Sequence, residues 1–413
     1  LAEPSKGKES EGAVALPGGL IPCGEWKPPA GSVQRTLKEA ARNGWRFLQK
    51  GFRPDEQPLE KPKDTASLSE RQRARYAPLP DWTQRGRELG AALDELEDDG
   101  AIKVIVAPPF AGLGTPLELL AKIRGWRIIE PPEDLFMSPQ DAASWWRERS
   151  TESPWLVPDL AQFWLRHRSG LALIREFLIR VARDEQGQGV VGCSSWCWEF
   201  WAHYMPEVPI YPYTLAPLDG AGLADWFTAL ARNPHGRALR VRMANNDRWA
   251  LLPDGACDDA DKRSTFLQDL AAKARGNSGV ALAIWRQALQ TEPEGDEDDE
   301  DDPAPDPAET PETSKPCDCW VLPLDRITLP GMPGNSSRKL THLLHAMLLH
   351  SGLSEERLAL TTGLNDQEVS VSLAALRRAE LVVQEGGGWR VTVLGYPAVR
   401  RRLQSDGYPL DRF

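Results

Sequence analysis

Ile102-Lys103-Val104-Ile105-Val106-Ala107-Pro108-Pro109-Phe110-Ala111-Gly112-Leu113-Gly114-Thr115 is the stretch on which the reading of this 413-residue chain turns. The run Ile102 to Ala107 is strand-sized and apolar apart from Lys103, which predicts a strand buried on both faces. A Pro/Gly turn follows, and Pro116 to about Arg124 reads as a helix. Upstream, Trp82 to Asp98 places Leu89, Ala92, Leu93 and Leu96 on one helical face, ended by Asp99-Gly100. Downstream, Trp126 to Ile129 reads as a short strand and Leu171 to Arg183 as a helix. That helix leads through Gln186-Gly187-Gln188-Gly189 into the strand Val190 to Cys193, and Ile210 to Leu215 is a further strand candidate. Strands alternating with helices predict an α/β fold with a parallel sheet.

The net charge of −11 belongs to one segment. Twelve acidic residues lie between Glu292 and Glu312, where there is no Lys or Arg, and removing those twelve from −11 leaves +1. The remainder is close to neutral, so the raw charge does not by itself exclude nucleic acid as a partner. Residues 291–316 are Pro, Glu, Asp, Ala and Thr with almost nothing apolar to bury, and are read as a disordered linker and a domain boundary. Six cysteines scattered over the chain are too few for a disulfide framework, which points to a reducing cytosol. No apolar run approaches the roughly 20 residues needed to cross a bilayer. Sixteen tryptophans, including Trp145-Trp146 and the pair Trp196 and Trp198, suit core or interface packing.

Residues 1–80 read as a Pro- and Lys-rich arm with one helix near Val33 to Lys50, and 81–260 as the α/β core. Residues 261–290 turn purely helical, with a break at Gly276-Asn277-Ser278-Gly279. Beyond the acidic segment, in 317–413, Arg338 to Leu349, Ser354 to Leu360 and Asp366 to Ala379 read as three helices. Leu381 to Gln384 and Trp389 to Val393 read as strands joined by Gly386-Gly387-Gly388. Three helices followed by a hairpin is the winged-helix (α+β) order.

The strand, Gly-containing turn and helix of Ile102 to Arg124 resemble the opening of a P-loop NTPase domain. Phe266 to Trp285, with its Gly-Asn-x-Gly break, resembles the helical lid of AAA-type and STAND-type ATPases. A lid followed by a winged helix is similar to origin-recognition-type and STAND-type proteins. The resemblance covers Trp82 to Gln290 and Arg338 to Leu403, and it implies a P-loop ancestry. The departures from it are chemical. A working loop reads GxxxxGK[ST], yet aligning Gly112 with its last Gly puts Leu113 at the Lys, and aligning Gly114 puts Thr115 there. The strand Gly189 to Cys193 runs into Ser194-Ser195 with no acid until Glu199, so a Mg²⁺-holding carboxylate is missing as well. The resemblance therefore implies a core whose hydrolysis is lost, with no catalytic residue assigned.

A helix N-terminus can hold an anion without Lys. ATP or another nucleotide is thus the candidate cofactor, with Gly112, Gly114, Thr115, Arg166, Arg168 and Asn277 as candidate contacts. Arg166-His167-Arg168-Ser169-Gly170 also suits a partner carboxylate. Cys193 and Cys197 near Ser194, Ser195 and His203 read as packing residues before nucleophiles. Cys317-Asp318-Cys319 with His342, His345 or His350 matches no standard zinc spacing, so no metal is assigned. For DNA, the C-terminal domain offers Arg377, Arg378, Arg390, Arg400, Arg401 and Arg402. Residues 338–413 nevertheless carry ten basic and eight acidic residues, and Glu368 to Arg378 offers small side chains to base edges.

The expectation is a cytoplasmic, non-hydrolysing ATPase-like regulator or assembly adaptor, with protein partners, a membrane complex among them. The linker would set the effective concentration of its two modules. The alternatives are a DNA-associated regulator whose core oligomerises, and an NTPase that borrows its cation from Lys122, Arg166 or Arg168.

Overall fold

The computed structural model describes residues 17–32, 65–96, 101–149, 154–183, 187–231, 239–252, 262–291, 317–334 and 337–413. The helix expected near Val33 to Lys50 and the acidic segment 292–316 lie outside them. The strands are β1 (Leu20–Pro22), β2 (Ala66–Ser67), β3 (Ile102–Ala107), β4 (Arg127–Ile128), β5 (Trp155–Val157), β6 (Gly189–Ser194), β7 (Tyr213–Leu215), β8 (Leu239–Met243), β9 (Trp249–Leu251), β10 (Leu289–Thr291), β11 (Cys317–Val321), β12 (Val382–Glu385) and β13 (Gly388–Val391). The helices of the first half are α1 (Glu70–Tyr76), α2 (Trp82–Asp94), α3 (Gly114–Arg124), α4 (Pro139–Arg149), α5 (Ala172–Ala182), α6 (Ser195–Tyr204) and α7 (Gly220–Ala231). Those of the second half are α8 (Phe266–Lys273), α9 (Ser278–Ala288), α10 (Arg338–Leu349), α11 (Glu355–Thr362), α12 (Asp366–Arg378) and α13 (Tyr396–Ser405).

The expected parallel sheet is present. Its order is β1-β7-β3-β6-β5-β4, with the five strands from β3 to β7 parallel and only the edge strand β1 antiparallel. The pleat of β3 sends alternate residues to opposite faces. Ile105 and Ala107 join Leu89 and Leu93 of α2 and Leu117 and Leu120 of α3, while Val104 and Val106 join the Trp-rich layer on the other face. In that layer Trp146 lies 4.7 Å from Phe177, and its indole N–H donates to the Leu173 carbonyl at 2.8 Å. Burial of this indole therefore serves the core, in line with the packing role that the sequence suggests for the tryptophan pairs.

The N-terminal arm is woven into the fold, since β1 pairs with β7 and β2 pairs with β10. A second sheet, β2-β10-β11-β8-β9, departs from the expected boundary. The sequence groups β11 with the C-terminal domain, yet it runs parallel to β8 and antiparallel to β10, with Leu289 opposite Val321. The acidic segment therefore joins two neighbouring strands of one sheet. Its two ends are held by backbone pairing, so it does not space two modules apart.

The C-terminal unit has the expected order of three helices, α10 to α12, then the hairpin β12–β13, to which α13 is added. Asn365 caps α12 through a reciprocal bond with Glu368, and Ser354 caps α11. The unit shares one apolar cluster with the core, and Trp196 of α6 lies edge-on to His345 of α10 at 6.0 Å. No helix among the described residues is long and apolar enough to cross a membrane.

Candidate functional site

The turn after β3 sits where an open α/β sheet usually takes its ligand. The chain steps from β3 through α3 to the far edge strand β4, and later from β6 across β3 to β7, so the carboxyl ends of β3 and β6 flank the point of reversal. A cleft of about 930 Å³ opens there, lined by Gly112, Gly114 and Thr115, by Asp159 and Ser194, and by residues of α9 and the C-terminal unit.

The loop is held from three sides. Arg85 of α2 donates to the Ala111 carbonyl at 2.5 Å and is almost wholly buried. Burial draws its guanidinium down to about 10, against the pull of Glu88. Gly112 has φ of 73°, and a Cβ there would stand 2.7 Å from the Trp82 ring, so only glycine fits. Asn277 caps α9 by accepting from the N–H groups of Gly279 and Val280, and its amide donates to the Pro109 carbonyl at 2.7 Å. Gly279 lets α9 approach so closely that a Cβ would meet the Phe110 carbonyl at 1.9 Å. Phe110 itself takes a left-handed φ of 69° and turns its ring to Tyr396 of α13, 5.6 Å away. Leu113 is buried in the second core. Gly114 and Thr115 form the first turn of α3, which has no side-chain cap.

A carboxylate is present after all, on a strand that the sequence does not announce. Trp155-Leu156-Val157 forms β5, next to β6, and Asp159 follows two residues beyond its end. The signal is a three-residue apolar run ended by Pro158-Asp159, shorter than the periodicity argument can resolve. Asp159 is enclosed by protein: it accepts from the Ala161 N–H at 3.0 Å, with Ser194, Ser351 and Arg390 close around it. Burial raises its carboxyl above the ordinary range, and these polar neighbours pull it back. Ser351 and Arg390 belong to the C-terminal unit, which thus reaches over the loop. The cleft lining carries four arginines and four carboxylates, so it has no net charge with which to draw in a polyphosphate.

Arg166 and Arg168 are not brought to this loop. Arg168 is exposed. Arg166 turns to α10, donating to His342 Nε2 at 2.8 Å, facing His345 Nδ1 at 3.5 Å, and giving its backbone N–H to His350 Nε2 at 3.3 Å. Lys122 is likewise exposed on α3, so none of the three cations proposed as a borrowed lysine serves the loop. Among the described residues no group of three metal-ligating side chains comes together. Cys193 and Cys197 are buried, and burial drives the Cys193 thiol far above its ordinary range, where the thiolate needed for attack does not form.

The six C-terminal arginines are dispersed. Arg377 and Arg378 are exposed at the end of α12. Arg390 points at the cleft, its stem packed over Gly352. Arg400 is buried in an ion pair with Asp411 at 3.0 Å, and Arg402 pairs with Asp406 at 3.0 Å. Arg401 lies against the α8–α9 side of the molecule.

No protein-family model and no curated protein matches the chain. Among solved structures, an arginine-to-alanine mutant of RuvB from Thermotoga maritima is 13% identical, with 75% of this chain and 88% of that chain covered, at a TM-score of 0.26. A lysine-to-arginine mutant of the same protein gives the same identity and coverage at 0.27. A Walker-type ATPase of Pyrococcus abyssi, also 13% identical, covers 84% of this chain and 99% of its own at 0.27. At such scores these likenesses carry no argument about site or activity.

Proposed function

We propose that this protein is an ATPase-like regulator or assembly adaptor that does not hydrolyse nucleotide and works through protein contacts. The reading takes the parallel-sheet core as a degenerate P-loop domain, α8 and α9 as its lid, and α10 to α13 with the hairpin as a winged-helix unit. One observation carries it. Asp159, a carboxylate of the cleft at the turn after β3, is buried against Ser351 and Arg390 of the C-terminal unit. In a phosphoryl-transfer site that group would be free to hold Mg²⁺, and a Lys would neutralise the transferred phosphate. Here the Lys is missing, and the loop carbonyls of Pro109 and Ala111 are tied to Asn277 and Arg85.

Protein contact is favoured over DNA by the disposition of the arginines. Two of the six are spent in ion pairs with Asp411 and Asp406, and one faces the cleft. The other three, Arg377 and Arg378 at the end of α12 and Arg401 on α13, are exposed and do not form one basic face with them.

The test is phosphate release from ATP and Mg²⁺ by the full chain. No release above a blank is expected, and measurable turnover that disappears in Asp159→Asn would replace this reading with an NTPase. In parallel, the full chain should not retard a DNA duplex at low salt. Retardation abolished by substituting Arg377 and Arg378 with Ala would establish the DNA-associated alternative.

A further inference from the structure

On the far side of Pro108 from the central cleft lies a smaller cavity, of about 280 Å³, between the α8–α9 turn and α13. Four cations line it, Lys273, Arg275, Arg400 and Arg401, and no acidic residue does. The contrast with the central cleft, where charges balance, is the reason to look here for an anion.

Each cation is positioned by a backbone or buried contact. Lys273 gives one bond, to the Leu324 carbonyl at 3.3 Å. Arg401 uses Nε on the Pro397 carbonyl at 3.3 Å, which leaves both terminal nitrogens of its fork. Arg275 adopts a left-handed φ of 56°, unusual for a residue with a side chain, and donates to the carbonyl oxygens of Phe413 and Arg412. Arg400 is buried and pairs through one nitrogen with Asp411, while its Nε is buried with no partner at all. That nitrogen has almost no exposed surface, so Arg400 contributes charge to the wall and not a free donor.

Charge crowding points the same way. No ion pair among the described residues joins Lys273, Arg275 or Arg401 to an Asp or Glu side chain. Burial lowers Lys273, and Arg401 lowers it further; burial likewise lowers Arg275, and Arg400 adds to the effect. Asp325 and Asp411 oppose this without reaching ion-pair distance of either. Counting Asp411 as one negative charge still leaves the four cations in excess.

We infer that this cavity is a binding site for the diphosphate group of a small phosphorylated ligand, separate from the nucleotide-like cleft. Arginine forks match phosphate oxygens in pairs, and a diphosphate carries enough charge to offset the excess. The volume admits such a group and excludes a peptide helix or a duplex. Because the walls come from the lid turn and from α13, a bound diphosphate would tie the lid to the C-terminal unit.

The probe is inorganic pyrophosphate, with ADP as a second arm, titrated into the full chain and followed by calorimetry and by melting temperature. Both should bind and raise the melting temperature, less so at high salt. Equal binding would assign the site to diphosphates generally, and tighter ADP binding to a nucleotide whose base lies outside the cavity. Replacing Lys273 and Arg401 together with Ala should weaken pyrophosphate at least about tenfold. Both side chains have access to solvent, so the melting temperature without ligand should hold. The inference is overturned if the unsubstituted chain binds neither probe, or if the double variant binds them as well as before. It is equally overturned if Arg390→Ala, in the central cleft, removes binding while the double variant keeps it.

Discussion

Gly279 is the residue on which the contact between α9 and the turn after β3 depends. Its missing side chain lets the Phe110 carbonyl come within 1.9 Å of where a Cβ would stand. Gly279→Ala is therefore expected to push α9 off the loop and to destabilise the fold by about 2 kcal/mol, as overpacking of a tight contact does. A urea melt checks this, and an unchanged midpoint would mean that the loop moves freely. Arg85 poses a related test. Its guanidinium satisfies the Ala111 carbonyl from a buried position. Arg85→Met keeps the apolar stem but loses that bond, and should lose about 2 kcal/mol, the usual range for a hydrogen bond to a charged group. Neither role was visible along the chain. Gly112 and Asn277 could be singled out from the sequence because turns and caps are local, whereas Arg85 meets Ala111 only because α2 packs beside α3. Asp159 escaped notice because its strand is three residues long.

At the scale of the element, α10 carries a pH dependence. Burial pushes His345 and His350 down to about 3 from an ordinary value of 6.5, and Arg166 adds to both shifts. His342, itself lowered, faces His345, and Arg357 acts on His350, while Tyr408 packs 4.8 Å from the His345 ring. None of these neighbours is a carboxylate that could welcome a proton. The unfolded chain takes up protons on these histidines below pH 6.5 and the folded chain does not. Stability is therefore full above 6.5 and falls as the pH drops toward 3, by about 1.4 kcal/mol per pH unit for each histidine. Asp159 and Asp411, held above the ordinary 3.8, work in the opposite sense just above that value. Comparing variants separates the two effects. With His345 and His350 both changed to Gln, the loss between pH 6.5 and 5 should shrink by up to about 4 kcal/mol. An undiminished loss would place the acid sensitivity elsewhere. The sequence puts these histidines on the polar or half-buried side of the helix, yet His345 and His350 are buried, because Arg166 and the core pack over them from a distant part of the chain.

Across the whole molecule, the acidic segment changes role. Its flanks, β10 and β11, pair directly in one sheet, so shortening the connection should help the fold. Replacing 292–316 with a turn roughly five times shorter is expected to stabilise the protein by about 1 kcal/mol, since a shorter loop closes with less lost entropy. A fall in melting temperature would show instead that the segment itself contributes contacts. The same pairing explains why the C-terminal unit cannot drift on a long tether. The chain returns to the second sheet at Cys317 before it reaches α10, and Trp196 Nε1 donates to the Tyr396 hydroxyl at 3.1 Å across the contact between core and C-terminal unit.

Local order was legible from the chain. The buried strand Ile102 to Ala107, the helix break at Gly276 to Gly279, the three short helices and the glycine turn of the hairpin follow from periodicity and turn chemistry, which act over a few residues. The absence of a Lys between Pro108 and Thr115 is likewise a property of the sequence. What only the tertiary structure decided are the meetings of distant residues: β11 with β8, Ser351 with Asp159, Arg166 with three histidines, and four cations around one cavity. Each depends on sheet order and helix packing, in which the approach of two side chains is set by buried area and hydrogen-bond satisfaction, and no spacing along the chain encodes that.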